Sequence, residues 1–242
     1  MSKKQYFLIV DTETTQNNLV ADFGAVIVDR KGKIITQCAV MVDGIFTDSE
    51  NNPLFFDSKA DGSALWSRSS ADKRYRAYSQ MVANGSRMIA SVAAINRWLE
   101  RANTEYSPIL TAYNLSFDLG KCENTGIDLR QFDQSFCLWA AAFSAYAHTR
   151  GFRQLVLDTH AFNSPTSHGN MSFKTNAETM TRYVLNNANL ADEPHTALED
   201  AIDYELPILA KLLRSYTTRW LLEDSQAYDW RKVQVKDWFR PA

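Results

Sequence analysis

The chain has 242 residues, 45% of them hydrophobic, and a formal charge of −2 from 26 basic and 28 acidic side chains. That length and apolar content suffice for one well-buried domain core, and the near-zero charge excludes a protein that coats polyanions with a general positive field, so any grip on nucleic acid has to be local. The three cysteines, Cys38, Cys122 and Cys137, lack Cys-x-x-Cys spacing, which argues against a zinc cage or disulfide framework and for reduced, packing thiols in a cytoplasmic protein.

Lys3-Lys4 and the apolar residues after them look faintly like a signal peptide, but Asp11 ends the run after Tyr6-Phe7-Leu8-Ile9-Val10. That is too short for an h-region, and no later stretch approaches a transmembrane length, so no membrane association is expected. The five-residue run is apolar and β-favouring, and reads as a central buried strand. Asp11 closes it. Side chains at i and i+2 of an extended segment point the same way, so Asp11 and Glu13 present two carboxylates together, and such a pair repels unless a cation or proton sits between. Taken alone, Asp-x-Glu is also an ordinary polar strand exit; a second copy, Asp48-Ser49-Glu50, lies in a polar stretch with nothing around it.

Residues 22–29, a turn at Arg30-Lys31-Gly32 and residues 33–42 read as a hairpin, giving three neighbouring strands. An irregular polar stretch follows to about residue 69. Residues 70–83, with Gly85 after them, read as an amphipathic helix with Ala71, Tyr75, Tyr78 and Val82 inward and Lys73, Arg74 and Arg76 largely outward. With Arg68, Trp66 and the tyrosines this is the best local basic feature. It has the composition that grips single strands, although a solvated face over a buried aromatic stripe is the preferred reading. Ser86 is positioned to cap a helix carrying Met88, Val92, Ile95 and Leu99.

Pro108-Ile109-Leu110-Thr111-Ala112-Tyr113 reads as another buried strand, with Asn114 as N-cap of the next helix and Asp118 near that helix's first turn. There Asp118 could face the acidic pair or simply complement the helix dipole. Residues 136–146 read as an apolar helix, and Thr175 with Glu178 as a capping box opening a helix to about residue 186. A second capping box, Thr196 and Glu199, leaves His195 just outside the final helix and puts Asp200 at its fourth position, so that loop and helix can converge on one site. Pro207 predicts a kink or break near Leu206, beyond Asp200. His148, His160 and His168 have no partner pattern.

Asp11-Thr12-Glu13-Thr14-Thr15, the segment Asn114-Leu115-Ser116-Phe117-Asp118, and His195 followed by Asp200 resemble the three motifs of the DEDDh (DnaQ-like) exonucleases, in matching order from about residue 6 to 213. The histidine five positions before the aspartate separates this branch from the tyrosine branch, whose residue would fall at Thr196. Two departures are present: Gln16 stands where glycine is frequent, and Leu119-Gly120-Lys121 replaces an apolar or aromatic pair.

The resemblance implies an α/β, ribonuclease H-like mixed sheet of five strands, the second antiparallel, flanked by helices. It implies a catalytic domain at 1–213 and an extension at 214–242 packed on the same domain, whose Trp220, Trp230 and Trp238 want burial. It further implies two Mg²⁺ ions, with Mn²⁺ able to substitute, held by Asp11, Glu13, Asp118 and Asp200, and His195 as the catalytic base. Thr12, Thr14, Thr15, Asn114 and Phe117 would contact the terminal nucleotide of a nucleic acid with a free 3′ end. The expected activity is 3′-5′ exonucleolytic release of nucleoside 5′-monophosphates from single-stranded DNA. The alternatives are an exoribonuclease, an endonuclease of the wider group, and a silent module that keeps the fold and binds nucleic acid or associates with a polymerase or other replication partner. Idle buried carboxylates would be costly in the last of these.

Overall fold

The computed structural model describes residues 4–55, 68–165, 169 and 171–226, the side chains of 68–72 excepted. Its centre is a mixed sheet of six strands: β1 (Tyr6–Thr14), β2 (Val20–Asp29), β3 (Ile34–Val42), β4 (Met88–Ala90), β5 (Ile109–Ala112) and β6 (Ser135–Cys137), in the order β4-β3-β2-β1-β5-β6. Strand β2 runs antiparallel to β1 and β3, whereas β4, β5 and β6 join in parallel. The count is six rather than the expected five, and the short strands β4 and β6 form the edges. Both fall where the sequence pattern alone favours helix, because three-residue strands carry no period of their own.

Alternation along β1 divides the core. Phe7 and Ile9 enter one apolar layer with α4 (Leu138–Tyr146), α5 (Arg150–Asp158), α6 (Ala177–Val184) and the helix carrying Ile208 and Leu212. Leu8 and Val10 enter the other, with α2 (Val92–Tyr106) and α3 (Leu115–Thr125). Extending that alternation, Asp11 and Glu13 leave the sheet on the first side and Thr12 on the second.

Several helix starts differ from the sequence reading. Ser91, not Ser86, caps α2, its hydroxyl accepting from the Ala94 N–H, and Met88 is exposed on the edge strand. Asn176 caps α6 by accepting from the Thr179 N–H; the neighbouring Thr175 instead accepts from Trp139 Nε1 at 2.9 Å. Helix α1 spans Arg68–Ala83, with Arg74 and Tyr78 buried and Val82 exposed, so its inner face is rotated from the expected stripe.

The last long helical run begins with α7 (Ala197–Asp200), passes through a π-helical turn at Ala201–Glu205 and continues as α8 (Leu206–Ser215). The helical run therefore continues through Pro207, and the irregularity near Leu206 is the π-helical turn just before it. The wider turn is closed by the Leu206 N–H on the Ala201 carbonyl, and the proline falls in the first turn of α8, where the hydrogen-bond ladder passes from the wider spacing back to the regular one. Beyond α8, Leu221 is buried in the first core layer and Gln226 accepts the Cys137 N–H at 2.8 Å. Trp230, Trp238, His168 and Trp66 lie outside the described residues. Among the described residues no helix is long and apolar enough to cross a membrane.

Candidate metal centre

Three of the residues singled out in the sequence meet at the end of β1, and Asp11 and Asp118 stand outside that group. Glu13, His195 and Asp200 offer ligand atoms that all lie within 4.8 Å of one another. His195 Nδ1 is 3.8 Å from Glu13 Oε1. On the other side, Thr12 donates to Asp118 Oδ1 at 2.8 Å, tying the first turn of α3 to the strand end. Asp118 and Asp200 are buried, and Asp200 Oδ1 has no hydrogen-bond partner.

Electrostatics bind these groups into one set. Burial first, and then the negative charges of Glu205, Asp118, Asp200 and Glu13, hold the Asp11 carboxyl well above the ordinary carboxylate range. Glu13 is raised in the same way, by burial and then Asp200, with Arg74 pulling against them. Burial pushes Asp118 up to about 7 and Asp200 up to about 8. Concentrated buried carboxyls of this kind hold protons or cations. His195 moves the other way: burial, then the positive charge of Arg74, press its imidazole down to about 4, so the ring is neutral at physiological pH. Its backbone is left-handed, with φ of 55°, an unusual state for a residue with a side chain and one found often at functional turns.

The residues expected to contact a terminal nucleotide are split. Thr12, Thr14 and Thr15 are buried; the Thr12 hydroxyl serves Asp118, and that of Thr15 accepts the Leu19 N–H. Phe117 is exposed, with Lys121 Nζ 4.7 Å from its ring centre. Asn114 is also exposed and takes the N-cap position with a left-handed backbone; its side chain makes no capping bond.

Three features go beyond the sequence reading, which offers Arg74 in a basic face able to grip a strand but prefers that face solvated. Arg74 is buried close enough to Glu13, Asp200 and His195 to shift them or be shifted by them. With Lys73, Asn176, Glu193, Pro194 and His195 it lines a cleft of about 620 Å³. Glu205 is the second. Third, Arg87 bridges Asp22, at 3.0 Å, and Glu199, at 2.5 Å, with the Arg87 and Asp22 side chains fully buried. Asp22 Oδ2 also accepts the Ala197 N–H at 3.0 Å. The expected capping box is thereby replaced: Glu199 is drawn to Arg87, the buried Thr196 hydroxyl has no partner, and an aspartate from β2 satisfies the start of α7.

No family model matches the chain, and no curated protein matches it at a significant level. A function has to be read from the site.

The Arg87 bridge carries a prediction. Arg87→Met leaves Asp22 buried without its counter-charge and is expected to cost about 3–5 kcal/mol in urea unfolding, whereas Arg87→Met with Asp22→Asn recovers part of that loss. Equal stability of the single variant and the wild type would show that the bridge fixes nothing.

Proposed function

We propose that this chain is a cation-dependent 3′-5′ exonuclease of the DEDDh kind on a ribonuclease H-like fold, releasing nucleoside 5′-monophosphates from single-stranded DNA ends. The observation that carries the reading is the group of Glu13, His195 and Asp200, whose ligand atoms lie within 4.8 Å of one another at a strand end, beside a buried Asp200 oxygen that lacks a partner, with Asp11 and Asp118 near enough for their charges to act on one another. The mixed sheet with an antiparallel second strand is compatible with that fold.

The carboxylate oxygens suit Mg²⁺, or Mn²⁺ in its place. Glu13 and Asp200 would hold one cation, and Asp11 would be shared with a second that Asp118 supports. Bound there, cations neutralise charge on a phosphoryl group and acidify a coordinated water. The neutral imidazole of His195 takes the proton from the attacking water. Arg74 and Lys73 supply positive charge for the phosphate, in a cleft large enough for a terminal nucleotide. Phe117, exposed on the neighbouring helix, offers a face on which a base can stack.

A time course on 5′-labelled single-stranded DNA and RNA, with Mg²⁺ and with chelator, tests the reading. The expected outcome is stepwise shortening of DNA from its 3′ end, release of mononucleotides, and silence in chelator. Faster loss of RNA would move the substrate to RNA, and internal fragments would indicate an endonuclease. Folded protein that cleaves neither polymer with Mg²⁺ or Mn²⁺ overturns the proposal. Asp11→Asn is expected to fall below about one per cent of the wild-type rate.

A further inference from the structure

The end of the sheet opposite the metal centre carries a second cleft, and its charge is the reverse of the first. It has a volume of about 780 Å³, and Lys4, Arg30, Lys31 and Lys33 line it with a single carboxylate, Asp29. Four basic side chains against one acidic one make it locally positive, in a chain whose formal charge is −2. Among the described residues, none of the four stands in an ion pair.

Hydrogen bonds hold the walls of this cleft in place. One Arg30 nitrogen donates to Thr218 Oγ1 at 3.0 Å and Gln5 Oε1 at 3.4 Å, the other to the Tyr216 carbonyl at 2.7 Å and the Leu213 carbonyl at 3.2 Å. Thr218 donates to Gln5 Oε1 as well, at 2.6 Å. The segment entering β1 is thereby joined to the end of α8, whose dipole favours a cation there. Every one of these partners is formally neutral, so the guanidinium charge has no counter-ion. Nor does Asp29 answer the lysines. Its Oδ1 accepts the Lys31 N–H at 2.8 Å and the Lys33 N–H at 3.0 Å, which commits it to closing the turn between β2 and β3.

The same turn decides what kind of anion fits. Successive backbone N–H groups can cradle one compact phosphate, but here those of Lys31 and Lys33 are taken by the Asp29 carboxylate and that of Gly32 by the Asp29 carbonyl. What remains is a spread of exposed lysines, Lys4, Lys31 and Lys33. Lysine ammonium groups are mobile point charges, suited to successive phosphates of a flexible polyanion. We propose that this cleft is a second contact for single-stranded nucleic acid, holding phosphates upstream of the 3′ end that enters the metal centre. The inference rests on the nuclease reading above and extends it. Tyr6, which pairs with Asp29 and also lines the cleft, precedes Glu13 by seven residues of β1. The two sites are therefore about 23 Å apart along the strand, or roughly seven nucleotides of stacked chain. A dinucleotide cannot reach both.

Fluorescence anisotropy of a labelled DNA single strand of about 20 nucleotides, in chelator, measures binding without cleavage. The variant to compare with the wild type combines Lys4→Gln, Lys31→Gln and Lys33→Gln, all exposed positions. It is expected to bind about 10- to 100-fold more weakly at about 0.1 M salt, and the slope of log affinity against log salt is expected to shrink by about 2, as three lost phosphate contacts require. Lys4→Arg with Lys31→Arg and Lys33→Arg keeps the charge and should bind like the wild type. With Mg²⁺, the glutamine variant should show a higher KM and an unchanged kcat on the long strand, and unchanged hydrolysis of a dinucleotide. Equal affinity and equal salt slope for the glutamine variant and the wild type overturn the inference and leave the nuclease reading standing. So does a glutamine variant that loses the dinucleotide as much as the long strand. Retention on phosphatidylserine vesicles without binding of DNA assigns the cleft to a lipid surface and overturns it too. A wild type that shows the lysine-dependent binding but cleaves nothing removes the nuclease reading and keeps the strand contact.

Discussion

In chelator, raising the pH from 6.5 to 8.5 lowers the melting temperature by about 5–10 °C, and Mg²⁺ or Mn²⁺ restores more at the alkaline end than at the acid end. The sign follows from the buried carboxyls. Asp118, raised from 3.8 to about 7, and Asp200, raised from 3.8 to about 8, still bind protons in the folded chain at pH 6.5, where an unfolded carboxyl binds almost none. A group with a raised folded pKa contributes stability that is complete below its unfolded pKa and is lost as pH climbs through the folded one. Each carboxyl releasing its proton in this window removes about 1.4 kcal/mol per pH unit, or roughly 2–3 kcal/mol across it for the pair.

His195 works in the opposite direction, but elsewhere. Its imidazole is pressed from 6.5 down to about 4, so its contribution grows as pH rises through that lower window and adds only about 0.4 kcal/mol more above 6.5, where half of the unfolded imidazoles are still protonated. Above 6.5 the carboxyls outweigh it. Cations compete with the same protons and bind the folded form, so saturating one site at a hundred times its Kd adds about 2.7 kcal/mol, most effectively where the protons have left. Differential scanning calorimetry with and without chelator measures both effects. Asp200→Asn should flatten the slope in chelator; a wild-type melting temperature that holds or rises from pH 6.5 to 8.5 would mean that the site carries no raised carboxyls.

Gly24→Ala is expected to lose at least about 3 kcal/mol in urea unfolding. Gly24 faces Asp11 across the β1–β2 ladder. A Cβ there would lie 2.3 Å from the Ala197 carbonyl carbon and 2.4 Å from the Leu198 nitrogen. Neither is the movable end of a side chain. Both belong to the first turn of α7, which is held against β2 by the Ala197 N–H on Asp22 and by Glu199 on Arg87. Glycine thus lets the helix backbone dock on the sheet beside Asp11, which is what brings Asp200 within reach. Gly120→Ala in α3 is the control: nothing lies within 4 Å of its added Cβ, and alanine should gain about 0.5–1 kcal/mol in a helix. A Gly24→Ala chain as stable as the wild type would contradict the close approach.

Much of this was legible because it is local. Five apolar residues announced β1 and placed Asp11 and Glu13 at its exit, and the strand at Ile109 led directly to α3 and Asp118. His195 and Asp200 were legible from the helix start at Ala197, even though the cap itself was misread. Capping residues compete, and a pattern of four residues cannot show that Arg87 will claim Glu199 or that Asp22 will take the Ala197 N–H from 175 positions away. Arg74 was hidden by the rule that charge faces water; an acidic site reverses the cost, since a buried arginine beside Glu13 and Asp200 is partly compensated. Glu205 was hidden by helical phase. Pro207 signalled an irregularity nearby, but nothing in the sequence said that the turn would widen ahead of the proline or that Glu205 would end it buried on the Tyr113 N–H.

The long reach of the Asp22 contact with Ala197 also governs when the acidic pocket comes into being. As the polypeptide leaves the ribosome, β1, β2 and β3 can pair at once, leaving Asp11 and Glu13 at a strand end with no helix against them. Only after residue 200 has emerged and the intervening loop has closed does the pocket exist, and loop closure over such a separation is slow. On the proposed reading, cation-dependent cleavage during refolding is therefore expected to appear with the slowest phase, trailing the burst of secondary structure.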